Sequence, residues 1–118
     1  MLFIRSDHSV HQVSGLPDGF RVDYYSGGWS HDSTMFAMYM HECLTTPERD
    51  ARLVVVPDFP EGPRVIACTP APPGYHLPNL MPVSWLGSSH VLCVVATDPD
   101  DYDCFETWAF EVERLGPP

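Results

Sequence analysis

The run Trp29-Ser30-His31-Asp32-Ser33-Thr34-Met35-Phe36-Ala37-Met38-Tyr39-Met40 lies without a gap over Trp85-Leu86-Gly87-Ser88-Ser89-His90-Val91-Leu92-Cys93-Val94-Val95-Ala96. Each stretch is a Trp, a polar turn and an apolar run. A Trp followed by a tight turn and an unbroken apolar strand describes a hairpin whose second strand is buried on both faces, as stacked sheets require. The same offset carries Arg52-Leu53-Val54-Val55-Val56 onto Trp108-Ala109-Phe110-Glu111-Val112, so the register is expected to hold across the next loop. Identities are confined to Trp29/Trp85, Ser33/Ser89 and Val56/Val112, so the match is one of pattern.

Outward from this pair, the chain reads as short strands. Leu2–Arg5, Val10–Val13, Phe20–Tyr25, Met35–Met40, Arg52–Val56, Arg64–Cys68, His90–Ala96 and Thr107–Val112 are apolar or alternating runs bounded by Gly, Pro, Asp or Ser. Thirteen Pro and eight Gly punctuate the chain and interrupt nearly every window long enough for three helical turns. A single helical turn is expected at Thr45–Ala51, with Thr46 as cap and Pro47 first. The predicted class is all-β, in antiparallel four-stranded meanders.

The Trp29-Ser30-His31-Asp32-Ser33 turn resembles the Trp-Ser-x-Asp-Gly turn of β-propeller repeats of the TolB-like and WD40-like kind, with Ser in place of Gly. Trp85-Leu86-Gly87-Ser88-Ser89 keeps the Trp and a small polar end. The resemblance implies about two blades within one domain spanning residues 1–118. One blade covers about residues 22–68 and a second about 83–112, while residues 2–13 are strands of a preceding or partner-completing blade. Propellers close a ring of about four to eight blades. The resemblance therefore implies a fragment, a ring closed by oligomerisation with Val10–Val13 as the strand missing after Val112 of a neighbour, or a small β-sandwich.

A chain of 118 residues supports one core, and its 44% hydrophobic content excludes a disordered tract. Sixteen acidic residues face six Arg and no Lys. A net charge of −10 repels a polyanion, which argues against direct nucleic-acid binding and leaves acidic mimicry of nucleic acid as an alternative role. No stretch approaches the about 20 apolar residues of a membrane helix, and the first residues are too short an apolar run for a signal peptide. The expected location is cytoplasmic as written, or secreted if the chain is a mature fragment.

Catalytic and metal motifs do not assemble. His8-Ser9-Val10-His11 would point its imidazoles to opposite faces of a strand, and His41-Glu42-Cys43 supplies two ligands where zinc needs four. Cys43, Cys68, Cys93 and Cys104 form no Cys-x-x-Cys pair. Cys68 and Cys93 read as core residues, and a Cys43–Cys104 bridge is conceivable in an oxidising compartment. Asp98-Pro99-Asp100-Asp101-Tyr102-Asp103-Cys104-Phe105-Glu106 offers five carboxylates that calcium could use, without the glycine and spacing of an EF-hand loop. Serine elbows and phosphate-cradling loops are absent.

The expected function is a non-enzymatic module that binds protein or peptide, or assembles with itself, through loop ends or a strand edge, with no cofactor or metal. The expected contacts are Tyr24, Tyr25, His31, Asp32, Tyr75, His76, Asp100, Asp101, Tyr102 and Asp103. Trp29 and Trp85 are expected in the core. The alternatives are a small acidic inhibitor and the non-catalytic propeller part of a hydrolase.

Overall fold

A computed structural model of the chain describes residues 1–22, 27–43, 50–78, 83–98, 100, 101 and 103–117. The fold is all-β and consists of three antiparallel layers. β1 (Leu2–Ile4) and β2 (Val10–Gln12) form a hairpin with Phe3 opposite His11. The middle sheet has four rows. β3 (Phe20–Val22) and β4 (Gly28–Trp29) share the first, and both bond to β5 (Met35–Glu42). β5 pairs with β6 (Ala51–Phe59) from Met35↔Pro57 to His41↔Ala51. The last row holds β7 (Gly62–Pro63) and β8 (Ala67–Pro70), bonded to opposite ends of β6. The third layer is the meander β9 (Ser84–Leu86), β10 (His90–Ala96), β11 (Phe105–Glu111), ending in a 3-10 turn at Val112–Arg114.

The middle sheet is buried on both sides because β5 and β6 are apolar at consecutive positions. Ala37, Tyr39, Leu53, Val55 and Ala67 pack against Trp85, Val91, Cys93 and Val95 of the third layer. Met38, Met40, Val54, Val56 and Val65 pack against Phe3 and Val13 of the hairpin layer, with Leu16 and Phe20 at the margin. Each fully buried side chain of this size contributes about 1.5–3 kcal/mol, so the two interlayer cores dominate stability.

Hydrogen bonds tie the middle and third layers at a nearly constant sequence separation. Tyr39 Oη donates to the Val94 carbonyl (3.1 Å), Trp85 Nε1 to the Gly28 carbonyl (2.9 Å) and the Asp32 N–H to Ser88 Oγ (3.3 Å), at separations of 55, 57 and 56 residues. The His31 N–H donates to the Gly87 carbonyl, so the two Trp turns touch directly. The hairpin that carries Trp29 and the hairpin that carries Trp85 therefore lie against each other.

Several expectations change in detail. The single turn expected from Thr45 falls mostly outside the described residues, and Ala51 already belongs to β6. The strand expected at Arg64–Cys68 is paired regularly only from Ala67, because the Val65 N–H turns away to the Ser14 carbonyl (2.9 Å). The ungapped alignment slips by one residue on the second strand of each unit. Trp29 stands opposite Phe36, whereas Trp85 stands opposite Val91, so Phe36, Met38 and Met40 correspond to Val91, Cys93 and Val95. On the third strand Val54 and Val56 correspond to Trp108 and Phe110, opposite Met38 and Phe36 in one unit and Cys93 and Val91 in the other. β10 was expected to be buried on both faces like β5. Its burial alternates instead, because no described layer covers its outward side.

Candidate functional site

Trp29 and Trp85 hold the same row of their units and point the same way, toward the preceding layer. Trp85 meets a complete four-row sheet and is 5% exposed. Among the described residues of the preceding layer Trp29 meets a two-stranded hairpin, and it is 44% exposed, so the expected core position is corrected for Trp29. The hairpin lies over the last rows of the middle sheet: Ser14 pairs with Arg64, and Arg5 reaches Asp58 of β6. Over the first row the hairpin reaches Trp29 through Phe3, and the indole is left half open there.

A cleft of about 350 Å³ occupies that gap, lined by Phe3, Ile4, Arg5, Ser6, Trp29, Ser33 and Asp58. Its aromatic wall belongs to a three-ring cluster, with centroid distances of 5.1 Å for Phe3–Trp29, 6.0 Å for Phe3–Phe36 and 5.4 Å for Trp29–Phe36. Its polar wall is an ion pair. Arg5 Nη2 donates to Asp58 Oδ1 at 2.7 Å and to the Phe59 carbonyl at 2.9 Å, while Arg5 Nε donates to Asp58 Oδ2 at 3.0 Å. The carboxylate holds the guanidinium pKa above its ordinary value, chiefly through these hydrogen bonds.

One backbone edge borders the cleft. The Val13 N–H donates to the Met1 carbonyl and the Arg5 N–H to the Ser9 carbonyl. In an antiparallel ladder the alternate positions, Leu2 and Ile4, then direct their N–H and C=O groups to the opposite edge of β1. β1 pairs there with no other described strand.

The expected contact residues divide between the two ends of the stack. His31 and Asp32 lie in the Trp turn at one end. His31 is exposed, while Asp32 serves the turn, its Oδ1 accepting from Ser30 Oγ (2.7 Å), Thr34 Oγ1 (2.6 Å) and the Thr34 N–H (3.1 Å). These bonds hold its carboxyl well below the usual range, those from Thr34 and Ser30 contributing most. At the other end, His76 exchanges backbone bonds with Ala96 beside the acidic loop, and Tyr75 packs edge-on against Trp108 at 5.0 Å. Asp100, Asp101 and Asp103 are exposed there. Tyr24, Tyr25 and Tyr102 lie outside the described residues.

The acidic loop folds on its own carboxylates. Asp98 Oδ1 accepts the Asp100 N–H (2.9 Å) and Asp101 Oδ1 the Asp103 N–H (3.0 Å). Among the described residues, no three His, Cys, Asp or Glu side chains converge as a metal site. All four cysteines are free, with Cys43 and Cys104 exposed. The Asp101 carboxylate pushes the Cys104 thiol up, and burial pushes Cys93 up to about 12. No described helix is long and apolar enough to cross a membrane.

The sequence points to a strand edge in general terms, but not to the outer edge of β1 or to the half-open Trp29. The only signal for them was the mismatch between a complete middle unit and a two-stranded N-terminal one. Comparisons with protein-family models, curated proteins and solved structures return no match.

Proposed function

We propose that the chain is a non-enzymatic, β-propeller-type module that binds an extended polypeptide along the outer edge of β1, across Trp29. The observation that carries this reading is the contrast between two equivalent tryptophans, one roofed by a full sheet and one half open beside an edge that pairs with no other described strand. A strand added at this edge would take its main-chain hydrogen bonds from Leu2 and Ile4 and place alternate side chains over the indole. Trp and Arg suit such a contact because each offers large, preorganised surface at modest entropic cost. The propeller-type assignment draws on the Trp-Ser-x-Asp turn and on the stacking of like rows at separations of 55 to 57 residues.

The test selects displayed random 12-residue peptides on the wild type and counter-selects them on Trp29→Ala. The expected peptides alternate in polarity, bind with micromolar Kd and lose at least about tenfold in affinity to Trp29→Ala, or about 1.4 kcal/mol. On binding, the Leu2 and Ile4 amides should gain protection from hydrogen exchange. Recovery of no peptide that discriminates a folded Trp29→Ala from the wild type would refute the reading.

A further inference from the structure

We infer that copies of this chain associate head to tail, the outer face of the β1–β2 hairpin of one copy stacking on the outer face of the β9–β11 sheet of the next. This contact uses faces, and so differs from the strand edge at Trp29.

On the hairpin, the side chains turned away from the middle sheet are Leu2, Ile4 and Val10, between 57% and 71% exposed. On the third layer they are Leu86 and Phe105, 57% and 49% exposed, with half-buried Leu92 and Val94 between them. Each well-exposed side chain of this kind presents on the order of 100 Å² of apolar surface. With Leu92 and Val94, the two faces together expose on the order of 600 Å² of apolar surface, the size of a weak, reversible contact.

The sequences of the end strands call for such a cover. β10 is apolar without alternation, as β5 is, and β5 is buried on both faces while β10 is covered on one. An unalternating strand is suited to the interior of a stack. A second copy supplies the cover in the right sense. Among the described residues the hairpin's preceding side and the third layer's following side are open, so a neighbour continues the step already taken twice within the chain.

Charge disfavours the symmetric pairing of two third layers. Residues 83–118 carry seven carboxylates and one Arg, whereas residues 1–22 carry two Arg and two Asp, with two His. Two third layers face to face would oppose like charges, while a third layer against the neutral hairpin does not. A contact of this heterologous kind propagates into a closed ring or an open chain.

Sedimentation equilibrium at up to about 100 µM, a range that reports contacts in the micromolar regime, tests the inference with Val10→Glu on one face and Leu86→Glu on the other. Both sites are exposed, and Leu2→Gln and Phe105→Ser serve as milder replacements if either variant loses its near-ultraviolet circular dichroism. The wild type should sediment at multiples of 13.2 kDa and each variant alone at 13.2 kDa. Their equimolar mixture should form a one-to-one pair, because each retains the face the other has lost. Trp29→Ala should associate like the wild type. A wild type that stays monomeric, a mixture that fails to pair, or either variant pairing with itself would overturn the inference.

Discussion

Ser33 stands where the turn geometry favours glycine. Its φ is +60°, and the turn closes through the Ser33 N–H to the Ser30 carbonyl at 2.9 Å. Left-handed backbone costs a non-glycine residue about 1–2 kcal/mol, part of which glycine returns through its greater freedom when unfolded. Ser33→Gly should therefore stabilise the protein by about 0.5–1 kcal/mol, read from the denaturant midpoint at unchanged slope. Asp32, one residue earlier, has its carboxyl pKa lowered by folding. Its contribution is complete above the ordinary value of 3.8 and is lost as pH falls through the lower folded value. The thermal midpoint should decline below that ordinary value, and Asp32→Asn should flatten the decline. An equally steep acid limb in the variant would show that other carboxylates govern it.

At the scale of strands, the one-residue slip between units explains what sequence reading could and could not see. Met35–Met40 and Val91–Ala96 are both apolar at nearly every position, so neither has a period of two that would fix which side chains face which layer. Their character as buried strands was legible; their register was not. The polar turn is one residue longer between Trp29 and Phe36 than between Trp85 and Val91, and the hydrogen-bonded pairing absorbs it. The difference between doubly and singly covered strands should appear in truncations. Leu53→Ala, in the middle sheet at 1% exposure, should cost about 2–5 kcal/mol, whereas Leu86→Ala on an outer face should cost under about 1 kcal/mol. Equal losses in chemical denaturation would contradict the layer assignment.

For the whole molecule, the buried thiol of Cys93 reports on separation of the layers. It lies between the middle and third layers, and burial suppresses its thiolate. At pH 8, Cys43 and Cys104 should react with an aromatic disulfide reagent in the native state. Cys93 should wait for global opening, at a rate that rises with denaturant along the unfolding limb. Fast native-state labelling of Cys93 would mean that the third layer detaches on its own.

By itself the sequence determined the all-β class, the position of most strands and the N-terminal pair of strands, because these depend on local polarity, on turn residues and on spacing. The place of Ser33 at a glycine position was implied by the resemblance of its turn to the Trp-Ser-x-Asp-Gly pattern, and its φ of +60° agrees. Only the tertiary structure decided the fates of the two tryptophans. Whether an indole is roofed depends on how many rows the neighbouring layer has, a property of residues far away in the chain. It likewise decided that the Asp32 and Asp101 carboxylates fold their own loops, and that apolar residues of β1 and β10 are left facing outward. An apolar strand is the same sequence whether or not a layer covers it, so exposure of that face is decided by the layer count alone.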